Sequence, residues 1–385
     1  MSPGAGTGML NWGVAAGLLA ATLAGAGCSD RPDEASARAA TLKAAVGDEA
    51  AQTLASRWLI PPLTSLEPPL AAPVAIDVDI ARGRLYLLEL QPPELRVYDL
   101  QDGRFIGAMG REGDGPGEFR FPVDLAVSST GVAAVLSMGG RVAFWTADGR
   151  FAGEVRTGTG LATDLLAARG DTFYVKSDLF PPHDYAEIRV VVTDSALTKA
   201  RFRDEGLAGL EEAGTASKNH SYAVSATPNG DLLISPPGGD YVIYRIGPGG
   251  ELRQTIRRLQ VPPLLRSEEE AEAVLERVRK GFAAAGRATP QSLRVPLYRP
   301  HISRLAVSAD ASIWALTGRG DGETAIVDHF SAGGSFLASY RLPLSAGDLV
   351  VGERSIYLLA RGAHDVAGVA LTERPRITGE RAATR

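Results

Sequence analysis

Along most of the chain the apolar positions come in short runs, alternating or continuous, bounded by Gly, Pro, Asn and Asp, a pattern that predicts β-strands rather than helices. Two consecutive stretches show the plan. The first reads Val74 to Val78, Arg84 to Leu88, Leu95 to Leu100 and Phe105 to Met109; the second reads Val123 to Val127, Val132 to Leu136, Arg141 to Trp145 and Phe151 to Val155. The last two strands of each are joined by a hairpin turn carrying Asp-Gly, Asp102-Gly103 and Asp148-Gly149, and these turns lie one four-stranded unit of about 45 residues apart.

The plan continues through the chain. A third copy runs from Asp164 through Phe173-Tyr174-Val175 and Ile188 to Val192, to Ala200, and a fourth has Tyr222 to Ser225, Leu232 to Ser235 and Tyr241 to Ile246. After Leu259 the period breaks at Pro262-Pro263. Ser267 and Glu270 then form a capping box, followed by Ala271, Val274, Leu275, Val278 and Phe282 at helical spacing, which predicts an inserted helix. A fifth copy resumes at Ile302 to Val307, and a sixth holds Leu349 to Val351, Ile356 to Ala360 and Val366 to Leu371 without a fourth strand. Trp58-Leu59-Ile60 belongs to no copy of its own, so lending it to the sixth would close a ring and remove an exposed sheet edge. The expectation is an all-β fold: a six-bladed β-propeller of four-stranded blades over residues 58–377, with one inserted helix at about 262–290, strand-exchange closure and a charged tail at 378–385.

The stretch Gly110 to Val127 joins the first two copies. Gly110, Gly113, Gly115 and Gly117 permit positive φ, Pro116 fixes a turn, and Phe119 and Phe121 offer apolar anchors before the next strand. With Pro122, Leu125, Ala126 and Val127, these residues resemble the inter-blade segment of NHL-type β-propellers, and more closely that of six-bladed propeller lipoproteins of bacteria, most of which have no assigned activity. The acidic neighbours Glu112, Asp114 and Glu118 argue against a phosphate cradle in the same glycine-rich run.

Composition narrows the function classes. With 40 Lys and Arg against 45 Asp and Glu, a net charge of −5, there is no basic excess for nucleic acid. The single cysteine, Cys28, follows an apolar run, Val14 to Ala24, of signal-peptide length, and Gly25-Ala26-Gly27 before it looks like a lipobox. Residues 1–27 are therefore read as a signal peptide, Cys28 as a lipidation site and residues 28–57 as an Ala-rich tether, which makes the protein exported and lipid-anchored, periplasmic or at an outer membrane.

Aligning the copies puts Ala75, Asp124, Asp164, Ser221, Arg304 and Asp348 at one position, just before the apolar pair of the first strand. In a propeller this position crowds around the channel mouth. There Asp124, Asp164, Ser221, Arg304 and Asp348 would bind a small ligand or cation, with His220 and His301 near the same face, or else would pair with each other and with backbone amides. No histidine pair has the spacing of a metal motif, no Gly-x-Ser-x-Gly surrounds a serine, and no thiol follows Cys28, so no catalytic set and no resident cofactor are assigned, although a divalent cation at the channel is compatible with the acids. Arg319-Gly320-Asp321 spells an adhesion tripeptide but reads as an ordinary loop.

These readings point to a monomeric, envelope-tethered binding module that presents loops and a polar channel mouth to a small ligand or protein partner. The alternative is a metal-dependent lyase or lactone hydrolase, which the family resemblance implies.

Overall fold

The computed structural model describes residues 51–62, 68–156, 162–167, 171–177, 184–190, 197–203, 223–236, 238–248, 251–284, 295, 297–362 and 366–375. The signal segment, Cys28, most of the tether, His220, Ser221 and the tail 378–385 lie outside them.

The chain enters with β1 (Gln52–Thr53) and β2 (Ser56–Ile60). It then lays down β3 (Pro73–Asp79), β4 (Arg84–Leu90), β5 (Pro93–Asp99) and β6 (Phe105–Met109) as one antiparallel sheet. The same meander recurs in β7 (Pro122–Val127) to β10 (Phe151–Arg156) through β8 (Ala133–Ser137) and β9 (Arg141–Trp145). It recurs again in β11 (Ala162–Ala167), β12 (Thr172–Ser177), β13 (Asp184–Val190) and β14 (Leu197–Arg203), and in β15 (Ala223–Ala226), β16 (Leu232–Ser235), β17 (Val242–Ile246) and β18 (Leu252–Arg257). Helix α1 (Glu268–Ala284) is followed by β19 (Ile302–Val307), β20 (Ile313–Thr317), β21 (Ala325–Phe330) and β22 (Phe336–Leu342). The chain closes with β23 (Ser345–Val351), β24 (Ser355–Arg361) and β25 (Ala367–Glu373), beside which β2 lies as the outermost strand.

The molecule is an all-β propeller, and the expectation of six four-stranded blades is corrected. Among the described residues five blades have four strands each, while the sheet of β19 to β22 has five, because β1 pairs in parallel with the outer edge of β22. The Leu54 amide donates to the Arg341 carbonyl at 2.9 Å, and Leu54 is buried against Leu342 and Leu344. A two-residue strand inside the segment read as tether carries too little pattern to be seen in the sequence.

Burial explains which runs alternate and which do not. The apolar cores lie between facing sheets: Tyr86, Leu88 and Val97 of one pack with Leu125, Val135 and Trp145 of the next. The last blade meets the first in the same way, through Tyr357, Leu359 and Val369 against Ile76, Leu85 and Leu87. Middle strands are thus covered on both sides, and β8, β9 and β21 are buried at every position, whereas outer β6 alternates with solvent. Each fully buried Leu or Val in this set contributes about 1.5–3 kcal/mol relative to exposure.

Four of the described hairpins share one turn. Ser128, Thr146, Thr227 and Ser331 each accept, through the side-chain oxygen, the amide four residues on (Val132, Arg150, Asp231 and Ser335). The residue before that amide is Gly131, Gly149, Gly230 or Gly334 at φ between +82° and +88°. In the equivalent turn from Ser308 to Ser312 the position is held by Ala311, at φ +62°. Helix α1 opens on the capping box: the Ser267 amide donates to Glu270 at 2.9 Å and the Glu270 amide donates to the Ser267 hydroxyl at 3.1 Å.

Candidate functional site

The first strand of each blade lines a central channel, a cavity of about 720 Å³ whose wall includes Asp77, Asp124, Arg304 and Asp348. A β-bulge in these strands falls immediately before Ala75, Asp124, Asp164, Arg304 and Asp348, so the aligned position is a structural one, where the strand steps toward the axis. In the fourth blade the turn from Thr227 to Asp231 matches that from Ser128 to Val132, which puts Ala223 at this register, two residues beyond Ser221.

The carboxylates on this ring are engaged with backbone. Asp124 accepts the amide of Leu125 at 2.9 Å with one oxygen and, with the other, the amide of Leu165 in the next blade at 2.8 Å. Asp348 does the same across the closing seam, accepting Leu349 at 2.9 Å and Ile76 of the first blade at 3.1 Å. Arg304 stands beside it, its Nε 3.5 Å from the Asp348 carboxylate, and is 41% exposed. Asp164 occupies the equivalent place in β11, and its side chain lies outside the described residues.

A third carboxylate of the same kind was not found by sequence reasoning. Asp77, two residues after Ala75, accepts Val78 at 2.8 Å and Val127 of the second blade at 2.7 Å. Enclosure in the channel wall, and then the charges of Asp348 and Asp79, push its carboxyl up to about 7, against the lowering effect of the two amides. Alternation from Ala75 would have placed Asp77 on the same face, but comparing only one position per copy hid it. Asp79 is tied locally, accepting the Arg82 amide at 3.0 Å and its guanidinium at 2.9 Å.

His301 sits in the seam between the fourth and fifth blades rather than on the channel wall. It is buried, with Nε2 3.1 Å from the Gly239 carbonyl and its ring 5.5 Å from that of Tyr241, and burial holds its pKa below the ordinary histidine value. Next to it Asp328 is fully buried and accepts Tyr241 at 2.7 Å, Arg258 at 2.6 Å, Ser339 at 2.6 Å and the Arg319 guanidinium. Burial, followed by the Asp328 charge, raises the Tyr241 phenol well above its usual value. Arg319 is thus a core cation, and Asp321 caps its own turn by accepting the amides of Glu323 and Thr324, so the adhesion tripeptide is not displayed as a unit.

The glycine-rich loop is braced on itself. The Arg141 guanidinium donates to the carbonyls of Asp114 (3.1 Å) and Gly115, Glu118 accepts the Gly115 amide at 2.8 Å, and Gly113 donates to the Phe119 carbonyl at 2.9 Å. Amides that a phosphate would need are therefore occupied. Phe119 is fully buried, 5.2 Å from the Trp145 ring, and anchors the loop as expected, whereas Phe121 is 50% exposed and does not.

Among the described residues no three His, Cys, Asp or Glu side chains are grouped to hold a metal ion. The channel acids can order water or a cationic group, but their geometry as it stands joins neighbouring blades.

No protein-family model matches the sequence, and no curated protein is similar to it at a significant level. Solved structures do resemble it. The WD40 repeats of RRP9 align with a TM-score of 0.53 at 11% identity, over 84% of this chain and 99% of that one. The structure of U3-55K aligns with a TM-score of 0.50 at 12% identity, over 78% and 95%. The β-propeller domain of Cps50 (Swd1) from Myceliophteria thermophila aligns at 0.46 and 14% identity, over 79% and 96%. At such identities the likeness to the first two is one of fold, and the fold it supports is the β-propeller.

Proposed function

We propose that the chain is a binding module of the cell envelope, similar to the propeller lipoproteins, held by a lipid on Cys28 and presenting its loop face and channel mouth to a protein partner or small ligand. The observation that carries this reading is the contrast between the ring and the loops. Asp124 and Asp348 each hold two backbone amides, so neither is poised as a base, while the loop from Gly110 to Phe121 is braced by Arg141 and Phe119 and forms a fixed surface. Such rigid loops on a sheet scaffold suit recognition, since little ordering entropy is lost on binding.

Two experiments test it. Fractionation of cells expressing Cys28→Ser should show an uncleaved or mislocalised chain; normal processing to a soluble protein would overturn the anchor. The chain should also retain a specific partner from envelope extract. The metal-dependent enzyme remains the second reading because acids line the channel, and a stoichiometric divalent ion that is lost in Asp124→Ala would favour it.

A further inference from the structure

The outermost strand on the fifth blade is not part of that blade's meander. β1 runs parallel to β22, pairing Gln52 with Tyr340 and Thr53 with Arg341, whereas β20, β21 and β22 pair antiparallel with one another. Gln52 and Thr53 are exposed. The hold on the edge comes from Leu54, whose amide donates to the Arg341 carbonyl at 2.9 Å and whose side chain is buried in one apolar cluster with Leu342, Leu344 and Leu349. Closure of the ring does not depend on this arm. β2 begins after the exposed Ala55 and is held by its own pairing with β25 from Ser56 to Ile60 and by burial of Leu59 and Ile60, so the arm can leave the edge while the ring stays shut. β1 also leaves most of the edge uncovered: on that side the backbone from Phe336 to Ser339 pairs with no described strand.

We propose that the outer edge of β22 is a strand-addition site for an extended segment of a partner protein, held closed by residues 52–54 of the chain acting as a built-in stand-in for that segment. The seated arm defines what the site takes: a parallel strand with a leucine-sized aliphatic residue at the position of Leu54, two solvent-facing polar residues before it, and further extended residues upstream, which the parallel register carries alongside Phe336 to Ser339. An open sheet edge offers a row of backbone donors and acceptors to such a segment, and the pocket of Leu54 supplies the choice of side chain. The arm is joined to β2 through Ala55 alone, so its local concentration at the edge is high, and a partner displaces it by pairing along more of β22 than two residues. The site lies three strands out from β19, which lines the channel, and so goes beyond the reading of loops and channel mouth without resting on it.

Fluorescence anisotropy with a labelled peptide of residues 46–56 tests it on the full chain, on Leu54→Asp and on Leu54→Ala. Leu54→Asp, whose own arm can no longer seat, should bind the peptide at least about tenfold more tightly than the unaltered chain does. Leu54→Ala removes the anchor without burying a charge and should fall between them, while the same peptide carrying Leu54→Asp should bind none of the three. Hydrogen exchange on the complex of Leu54→Asp with the peptide should show new protection in β22 and none in β6 or β10, whose outer edges are also open. Equal binding by the unaltered chain and both variants, no binding by either variant, equal binding of the two peptides, or protection at another strand would overturn the site. A dimer of the unaltered chain that Leu54→Asp dissolves would overturn closure by the chain's own arm and give the edge to a second copy. Each of these failures leaves the binding-module reading intact, since that reading is tested at Cys28 and with envelope extract.

Discussion

Replacing Asp348 by alanine opens the seam between the last blade and the first. The carboxylate accepts two backbone amides, Leu349 in its own strand and Ile76 in the first blade, and lies beside Arg304. A hydrogen bond to a charged acceptor contributes roughly 1.5–3 kcal/mol, so two would sum to about 3–6 kcal/mol. Asp348 borders the channel, from which water can reach the freed amides, and a net loss of about 2–4 kcal/mol is expected. At roughly 2–4 °C per kcal/mol for a domain of some 200 residues or more, the midpoint should fall by on the order of 5–15 °C. Arg304→Ala supplies the control: its side chain is 41% exposed and 3.5 Å from the acid, so it should cost under about 1 kcal/mol. Thermal and urea unfolding followed by circular dichroism give the stabilities, and hydrogen exchange at the Ile76 amide reports the seam itself, which should lose protection before the other blades do. If Asp348→Ala unfolds within about 1 kcal/mol of the parent, or if Arg304→Ala costs as much, the carboxylate is not a seam stitch and the ring returns to being a binding-site candidate.

Three further outcomes follow from single positions. Gly110→Ala should destabilise by about 2 kcal/mol or more and release the loop, since Gly110 has φ +73° and a Cβ there would stand 2.3 Å from the Phe119 ring; limited proteolysis between Gly110 and Phe121 reads this directly. Ala311→Gly should stabilise by about 0.5–1 kcal/mol, because this turn alone among its equivalents forces an alanine to φ +62°, and a lower urea midpoint would contradict it. His329 is buried against Trp314 at 3.7 Å, and burial followed by the Arg374 charge lowers its pKa from 6.5 to about 4. The unfolded chain therefore binds this proton near pH 6.5 and the folded chain only near 4, so stability falls as pH is lowered through that window, by on the order of 3 kcal/mol. Asp310, which faces the same cluster through Arg374, keeps its carboxyl below the usual range and contributes little change above pH 4. Asp77 acts in the opposite sense, its raised pKa making the fold less stable as pH rises from about 4 to about 7, so the test is the difference in stability between the parent and His329→Phe, which should be constant above pH 7 and shift in favour of the variant as pH falls toward 4.

Local patterning in the sequence determined the strands, the turns and their repetition. The Ser or Thr that opens four of the described hairpins and the glycine three residues later suit that turn chemically, so Ser128 with Gly131 and Thr146 with Gly149 announce it without reference to anything distant. The capping box of Ser267 and Glu270 is equally local. Continuous apolar runs such as Ala133–Ser137 mark strands covered on both faces, which already implies sheets packed face to face. The alignment of copies also found the bulged register at Asp124, Asp164, Arg304 and Asp348, because a bulge recurs at the same step of every meander in which it occurs.

What those residues do was decided by the tertiary structure. Whether Asp124 faces a ligand or the Leu165 amide depends on where the next blade's strand edge falls, and Leu165 is far from it in sequence. Asp77 joined the same set only through Val127 of a neighbouring sheet, and the approach of Asp348 from the other end of the chain helps set its pKa. His301 shared the local position of a channel residue but was drawn into the seam by Tyr241 and the Gly239 carbonyl. Gln52–Thr53 became a strand because the β22 edge offered unpaired backbone groups and a pocket for Leu54. In each case the sequence supplied a group able to accept, donate or pack. Its partner was chosen by the closure of the ring, which brings strand edges together across separations that no local pattern encodes.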